Sequence, residues 1–150
     1  MTQTRQFPQR FAVTAVPGEL LKRMHALAQR VRAQPDRDPE HLAMIRQLPC
    51  LKCGLEPCGE AAHVRRQSAA HGKRGGLQRK PPDRFSVPLC GACHRLDHDA
   101  LHQIGEDFFF HLLRIDGLRA AERLYACRGD LVAMRAEALR VIAERTKERQ

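Results

Sequence analysis

The sequence predicts an α+β chain, mostly helical, in which two short strands and a helix form a small unit flanked by helices on both sides. Three observations carry this. Two C-x2-C pairs, Cys50/Cys53 and Cys90/Cys93, bracket the middle of the chain, and five of the six cysteines lie between them or within them. Five of the eight histidines fall within residues 50–103. Before and after it, apolar residues recur at three- and four-residue steps, the period of an amphipathic helix.

Residues 1–16 have no clear period and read as a tail or irregular arm. From Pro17 the residues Leu20, Leu21, Met24, Leu27, Ala28 and Val31 make an apolar stripe with Lys22, Arg23, Arg30 and Arg32 between them, a helix entered at a proline. Ala33 to Arg37 breaks it. Asp38 then caps a second helix, Pro39 to Gln47, which delivers Leu48-Pro49-Cys50. Glu60 to Arg66 and Phe85 to Leu89 are strand-like runs separated by a glycine-rich, basic segment. A helix starting at Cys90 to Cys93 carries His94, His98 and His102 four residues apart, hence along one face. Beyond it Phe108, Phe109, Leu112 and Leu113 form one apolar face, Gly117 breaks, and Leu118, Ala121, Leu124 and Tyr125 form another. Asp130 caps a last helix through Leu131, Met134, Leu139 and Ile142, fraying from Glu144 onward. The expected organisation is an arm with helices at 1–49, a core at 50–103 and helices at 104–150, packed as one domain, the ordinary size for 150 residues.

Composition narrows the function. With 26 Lys+Arg against 17 Asp+Glu the formal charge is +9, which points to a polyanionic partner, nucleic acid or an acidic membrane surface. No apolar run reaches the roughly 18 residues of a membrane span, and the first residues carry no apolar signal core, so a cytoplasmic protein without a membrane partner is expected. In that setting paired cysteines read as thiolate metal ligands rather than disulfides.

Zinc takes four tetrahedral thiolate or imidazole ligands, and two C-x2-C turns make a closed site of this kind. Cys50, Cys53, Cys90 and Cys93 are therefore assigned to a structural zinc that closes a loop of 36 intervening residues. Cys58 is a third thiol near the first pair and stays open as a substitute ligand. Cys127 lies on an apolar helical face and reads as a core residue. The basic segment, Arg65, Arg66, Lys73, Arg74, Arg79, Lys80 and Arg84, has Asp83 as its nearby acid and glycines that let a backbone approach closely, which suits phosphate.

His41 to Cys50, Ala61-Ala62-His63-Val64-Arg65, Lys80-Pro81-Pro82-Asp83-Arg84 and Val87 to His94 resemble the HNH nucleases, the ββα-metal or His-Me finger class, and in particular small phage and prophage members including YbcO-like proteins. The resemblance covers residues 50–103. It implies that His63 matches the general base, that His94 and His98 match ligands of a catalytic divalent ion, magnesium or similar, and that DNA is the substrate. Many relatives carry Asp or His just before the base, where this chain has Ala62; Glu60 and Asp83 are the acids that could compensate. Spacing from Cys90 favours His98 as the terminal histidine, while Gln103-Ile104-Gly105-Glu106 favours His102; His98 is preferred. The expected function is a metal-dependent DNA endonuclease hydrolysing phosphodiester bonds in phage- or prophage-associated DNA processing or recombination. The alternative is a non-catalytic, zinc-stapled module that binds DNA or assists recombination.

Overall fold

The computed structural model describes residues 17–32, 37–73 and 81–147. The expected arm at 1–16 lies outside them, as do Arg74, Arg79 and Lys80. The chain divides into two compact units, Met1–Pro35 and Asp36–Gln150. The first contains helix α1, Pro17–Arg32, on which Leu20, Leu21 and Met24 are exposed. The division falls between the two expected N-terminal helices, so the second of them belongs with the cysteine-rich core and not with α1.

The second unit is α+β. Helix α2, Pro39–Ile45, starts where Asp38 accepts a hydrogen bond from the His41 amide at 3.0 Å, the cap that its sequence predicts. Strands β1, Gly59–His63, and β2, Ser86–Cys90, pair antiparallel in the register Gly59↔Cys90 to His63↔Ser86. All five residues of β2 are buried, because α2 packs on the hairpin and a later helix, α5 (Gly117–Ala126), packs on β2 itself. Phe85, Val87 and Leu89 are fully buried, a core of the short apolar run read in the sequence. Burying a side chain of that size stabilises by roughly 1.5–3 kcal/mol.

After β2 the chain departs from the expected continuous helix. A single π-helical turn, Ala92–Leu96, ends at Asp97, which is extended at ψ 154°, and Ala100 is extended again at ψ 157°. Only then does α3, Leu101–Ile104, begin. His94, His98 and His102 therefore do not share one helix face. Asp97 and Ala100 each carry the backbone out of helical conformation, and residue spacing counts along a face only while the helix is unbroken.

Gly105, at φ 84°, turns the chain into α4, Glu106–Leu113. Helices α5, Gly117–Ala126, and α6, Leu131–Lys147, follow and pack on each other. Asp116 caps α5 and Asp130 caps α6. Gly117 is required by contact: a Cβ there would lie 2.6 Å from the Phe110 ring. On α4 the buried set is Phe109, Phe110 and Leu113, while Phe108 and Leu112 are exposed at 54% and 46%. Both pairs have helical spacing, and only one can face the core. On α6 the core face is Met134, Ala138 and Val141, with Leu131 and Leu139 exposed, and the helix continues to Lys147 rather than fraying at Glu144. No helix among the described residues is long and apolar enough to cross a membrane.

Candidate functional site

The first cysteine knuckle is built by backbone hydrogen bonds. The Cys50 amide donates to Leu55 O, the Gly54 amide to Cys50 O, and the Cys58 amide back to Leu48 O. The Leu51 amide donates to Pro88 O at 3.0 Å, which lays this knuckle along β2, the strand that ends in Cys90. The ligand atoms of Cys50, Cys53, Cys90 and Cys93 lie within 4.8 Å of one another. Cys53 Sγ and Cys90 Sγ are 3.6 Å apart, close to the edge of about 3.8 Å that sulfurs at 2.3 Å from one ion define in a tetrahedron. The group can hold a structural metal such as zinc, and it is the set of four that the C-x2-C pairs predict.

Cys50, Cys90 and Cys93 are buried and Cys53 is exposed. Burial first, then the neighbouring thiols, push the Cys93 thiol well above its ordinary range, and burial raises Cys53 as well. A bound divalent cation offsets this cost, since metal binding deprotonates the thiols it ligates. Cys58 is outside the group. Its buried Sγ donates to Ile45 O at 3.3 Å and Glu60 O at 3.2 Å, and burial raises the thiol to about 11. The alternative of Cys58 as a ligand is thereby answered by its packing: the thiol is spent on carbonyls.

Two further devices hold the first knuckle. Arg145, near the end of α6, donates from Nη1 to Leu51 O and Lys52 O, both at 2.7 Å. Lys52 pairs with Asp99 at 2.5 Å. Neither was visible in the sequence, where Arg145 is one of several charges in a charged tail.

Alternation along β1 places Glu60 and Ala62 on one face and Ala61 and His63 on the other. His63 Nε2 is 2.9 Å from Asp83 Oδ1. Asp83, 2% exposed, also accepts from Arg37 Nη1 at 3.1 Å and from the Asp38 amide at 2.9 Å. Burial works to raise the Asp83 pKa, but the hydrogen bonds from His63, the Asp38 amide and Arg37 outweigh it and hold the carboxyl below its ordinary value. Asp83 is thus an anion at neutral pH, fixed by the N-terminus of α2 and aimed at His63.

On the other face, His94 Nδ1 lies 2.7 Å from Glu60 Oε2, and His94 Nε2 lies 3.1 Å from His102 Nε2. Arg95 also pairs with Glu60, and its hydrogen bond is the leading reason that the Glu60 carboxyl is held low. His102 is lowered by burial first, then by the charges of His94, Arg65 and Arg95. Ala62 is fully buried, so the position without a ligand is core, and the acid two residues earlier on the same face reaches His94 instead. The imidazole brought to His94 is that of His102, whereas His98 is exposed in the turn between the helices. Among the described residues no hydrogen bond joins His63 to His94, His98 or His102.

The described part of the basic segment is docked rather than loose. The amides of Arg65 and Arg66 donate to Glu106 Oε2 and Oε1 at 2.6 and 2.8 Å, and His71 pairs with Glu122 at 2.7 Å. Arg65 and Arg66 are exposed, and Arg84 is exposed with its guanidinium over the Phe85 ring. Lys73 differs from its neighbours: it is 6% exposed, donates to Arg66 O at 2.5 Å, and has its pKa lowered by burial. A buried ammonium engaged with a carbonyl is not a phosphate contact, which corrects its place in the expected phosphate-binding set.

Comparison with known families, curated proteins and solved structures finds no match to this chain. The functional reading therefore rests on the residues themselves.

Proposed function

We propose that the chain is a metal-dependent DNA endonuclease of the HNH type, built on a structural zinc held by Cys50, Cys53, Cys90 and Cys93. The observation that carries this reading is the His63–Asp83 pair on a hairpin whose second strand runs directly into a metal-binding knuckle and His94. With Asp83 ionised, the His63 ring donates from Nε2, which leaves Nδ1 as the nitrogen with the lone pair, the form a general base needs. Asp83 would also stabilise the imidazolium once His63 has taken the proton of the attacking water.

The residues we assign to a catalytic divalent ion are His94 and His102, with Glu60, itself engaged by His94 Nδ1 and Arg95, orienting the His94 ring. Their Nε2 atoms are 3.1 Å apart, close to the edge of about 3 Å between two nitrogens of an octahedral site with ligands near 2.1 Å. That pairing replaces His98 with His102 in the preferred set. When bound, the ion supplies polarisation of the scissile phosphate and stabilisation of the leaving oxygen. Arg65 and Arg66, which directly follow the base strand, would hold flanking phosphates. The setting that the sequence resemblance implies is phage- or prophage-associated DNA processing in the cytoplasm.

One observation favours a second reading. Arg95 already neutralises Glu60, as it would in a structural ion pair of a non-catalytic DNA-binding module. Incubation of the full chain with duplex, single-stranded and branched DNA in Mg, Mn and Ni separates the two. Chelator-sensitive cleavage is expected; binding without cleavage in every combination would favour the module. The salt dependence adds a second check: Arg65→Ala and Arg66→Ala should each reduce the slope of log affinity against log salt by about one. Lys73→Ala should leave the slope alone and lower thermal stability instead, and a slope that fell with Lys73 would return that residue to the interface.

A further inference from the structure

Helices α4, α5 and α6 carry a trough that neither the zinc nor the histidines use. It consists of a cavity of about 660 Å³ beside Arg66 and His111 and a neighbouring one of about 400 Å³ beside Arg119 and Arg145, both lined by Arg114, Ile115 and Asp116. Its walls bear five arginines, Arg66, Arg114, Arg119, Arg123 and Arg145, against three acids, Asp107, Asp116 and Glu144.

Two of those acids are committed within the fold. The Asp116 carboxylate accepts from the Leu118 and Arg119 amides at the start of α5, and Glu144 takes both terminal nitrogens of Arg123, whose Nε bonds the buried Glu137. Asp107 approaches Arg66 only at 3.9 Å and is highly exposed. With Arg123 paired inside the fold, the cations that concern an anion here are Arg66, Arg119 and Arg145. Arg119 is exposed on the wall, and Arg145, which lines the same cavity, has an Nε buried without a hydrogen-bond partner. A buried donor without a partner calls for an acceptor, and a guanidinium pairs best with a planar or tetrahedral oxyanion. The only rings in the lining are Phe110, 8% exposed, and His111, with no Trp or Tyr, so the chemistry recognised is the phosphate rather than the base.

We infer that the trough is a second phosphate-binding surface, which takes backbone phosphates of the nucleic acid where the strand leaves Arg66. This rests on the DNA reading above and extends it from the basic segment to the C-terminal helices. It also assigns a role to residues on elements outside the 50–103 region that carries the sequence resemblance.

The test uses the zinc-loaded full chain, a long duplex DNA and inorganic phosphate. Arg119→Ala should lower the slope of log affinity against log salt by about 0.9, the share of one neutralised phosphate, and Arg119→Lys should restore it. Zinc content and cleavage at saturating DNA should stay at the wild-type level, since Arg119 touches neither site. A wild-type slope in Arg119→Ala overturns the trough, as does an Arg119-dependent affinity for inorganic phosphate with none for duplex. Failure of the nuclease reading is distinct: an Arg119-dependent slope in a chain that cuts no DNA keeps the trough and discards the catalysis, whereas cleavage with an Arg119-independent slope does the reverse.

Discussion

Cys50→Ser combined with Cys90→Ser is expected to leave the second unit unfolded at ordinary temperature. Structural zinc sites contribute about 10–16 kcal/mol of apparent binding free energy, whereas a whole domain is stable by about 5–15 kcal/mol. The pairing of elements makes the loss global. Cys50 closes the turn after α2, Cys90 ends β2, and the Leu51 amide bonded to Pro88 O leaves the two knuckles side by side. Without the cation, four thiols within 4.8 Å of each other remain, with the Cys93 thiol pushed up by burial. Metal analysis should give one ion per wild-type chain, and thermal unfolding of the double variant should have no cooperative transition. A double variant melting like the wild type would remove the staple from the account. Chelation should reproduce the variant's behaviour in the wild-type chain, and readdition of zinc should reverse it.

The second large effect is expected at His63. His63→Ala should lower the rate of DNA cleavage by about 10² to 10⁴, the usual contribution of a positioned general base, with zinc content and DNA affinity near the wild-type level. The His63 side chain is 18% exposed, and its hydrogen bond is to a carboxylate that Arg37 and the Asp38 amide also hold, so the hairpin should survive its truncation. Asp83→Asn distinguishes positioning from bulk. The amide keeps the shape but can present its donor to Nε2, which turns the ring to the tautomer with the wrong nitrogen protonated, so kcat should fall while KM holds. Single-turnover kinetics at saturating DNA reads both variants. Wild-type rates in His63→Ala would exclude this histidine as the base.

Much of this architecture is legible in the residues, for physical reasons that differ by element. Asp38 and Asp130 announce helix starts because a carboxylate before an apolar period has one favourable use, accepting free amides. The four cysteines announce their cluster because C-x2-C spacing serves ligation and has no packing purpose. The failures share another cause. Phe108 and Phe109 are equivalent in helical period, and only the neighbours of α4 choose between them. His94, His98 and His102 share one face only in an unbroken helix, and the breaks at Asp97 and Ala100 have no glycine or proline to mark them. Lys73 reads as one more basic residue, yet the short bridge between Ser68 and Lys73 folds it inward under Phe85. Glu106 gave no signal at all, because its partners are backbone amides 40 and 41 residues away.

Arg145 belongs to two places at once. Its Nη1 fastens the turn between Cys50 and Cys53, while the same side chain lines the cavity beside Arg119. A guanidinium carries five N–H donors on one rigid plane, so Nη1 can keep Leu51 and Lys52 while Nε and Nη2 remain for another acceptor. An anion seated on those donors would brace the turn that the metal also needs, and any coupling of that kind would be reciprocal: whatever factor the anion applied to metal affinity, the metal would apply to anion affinity.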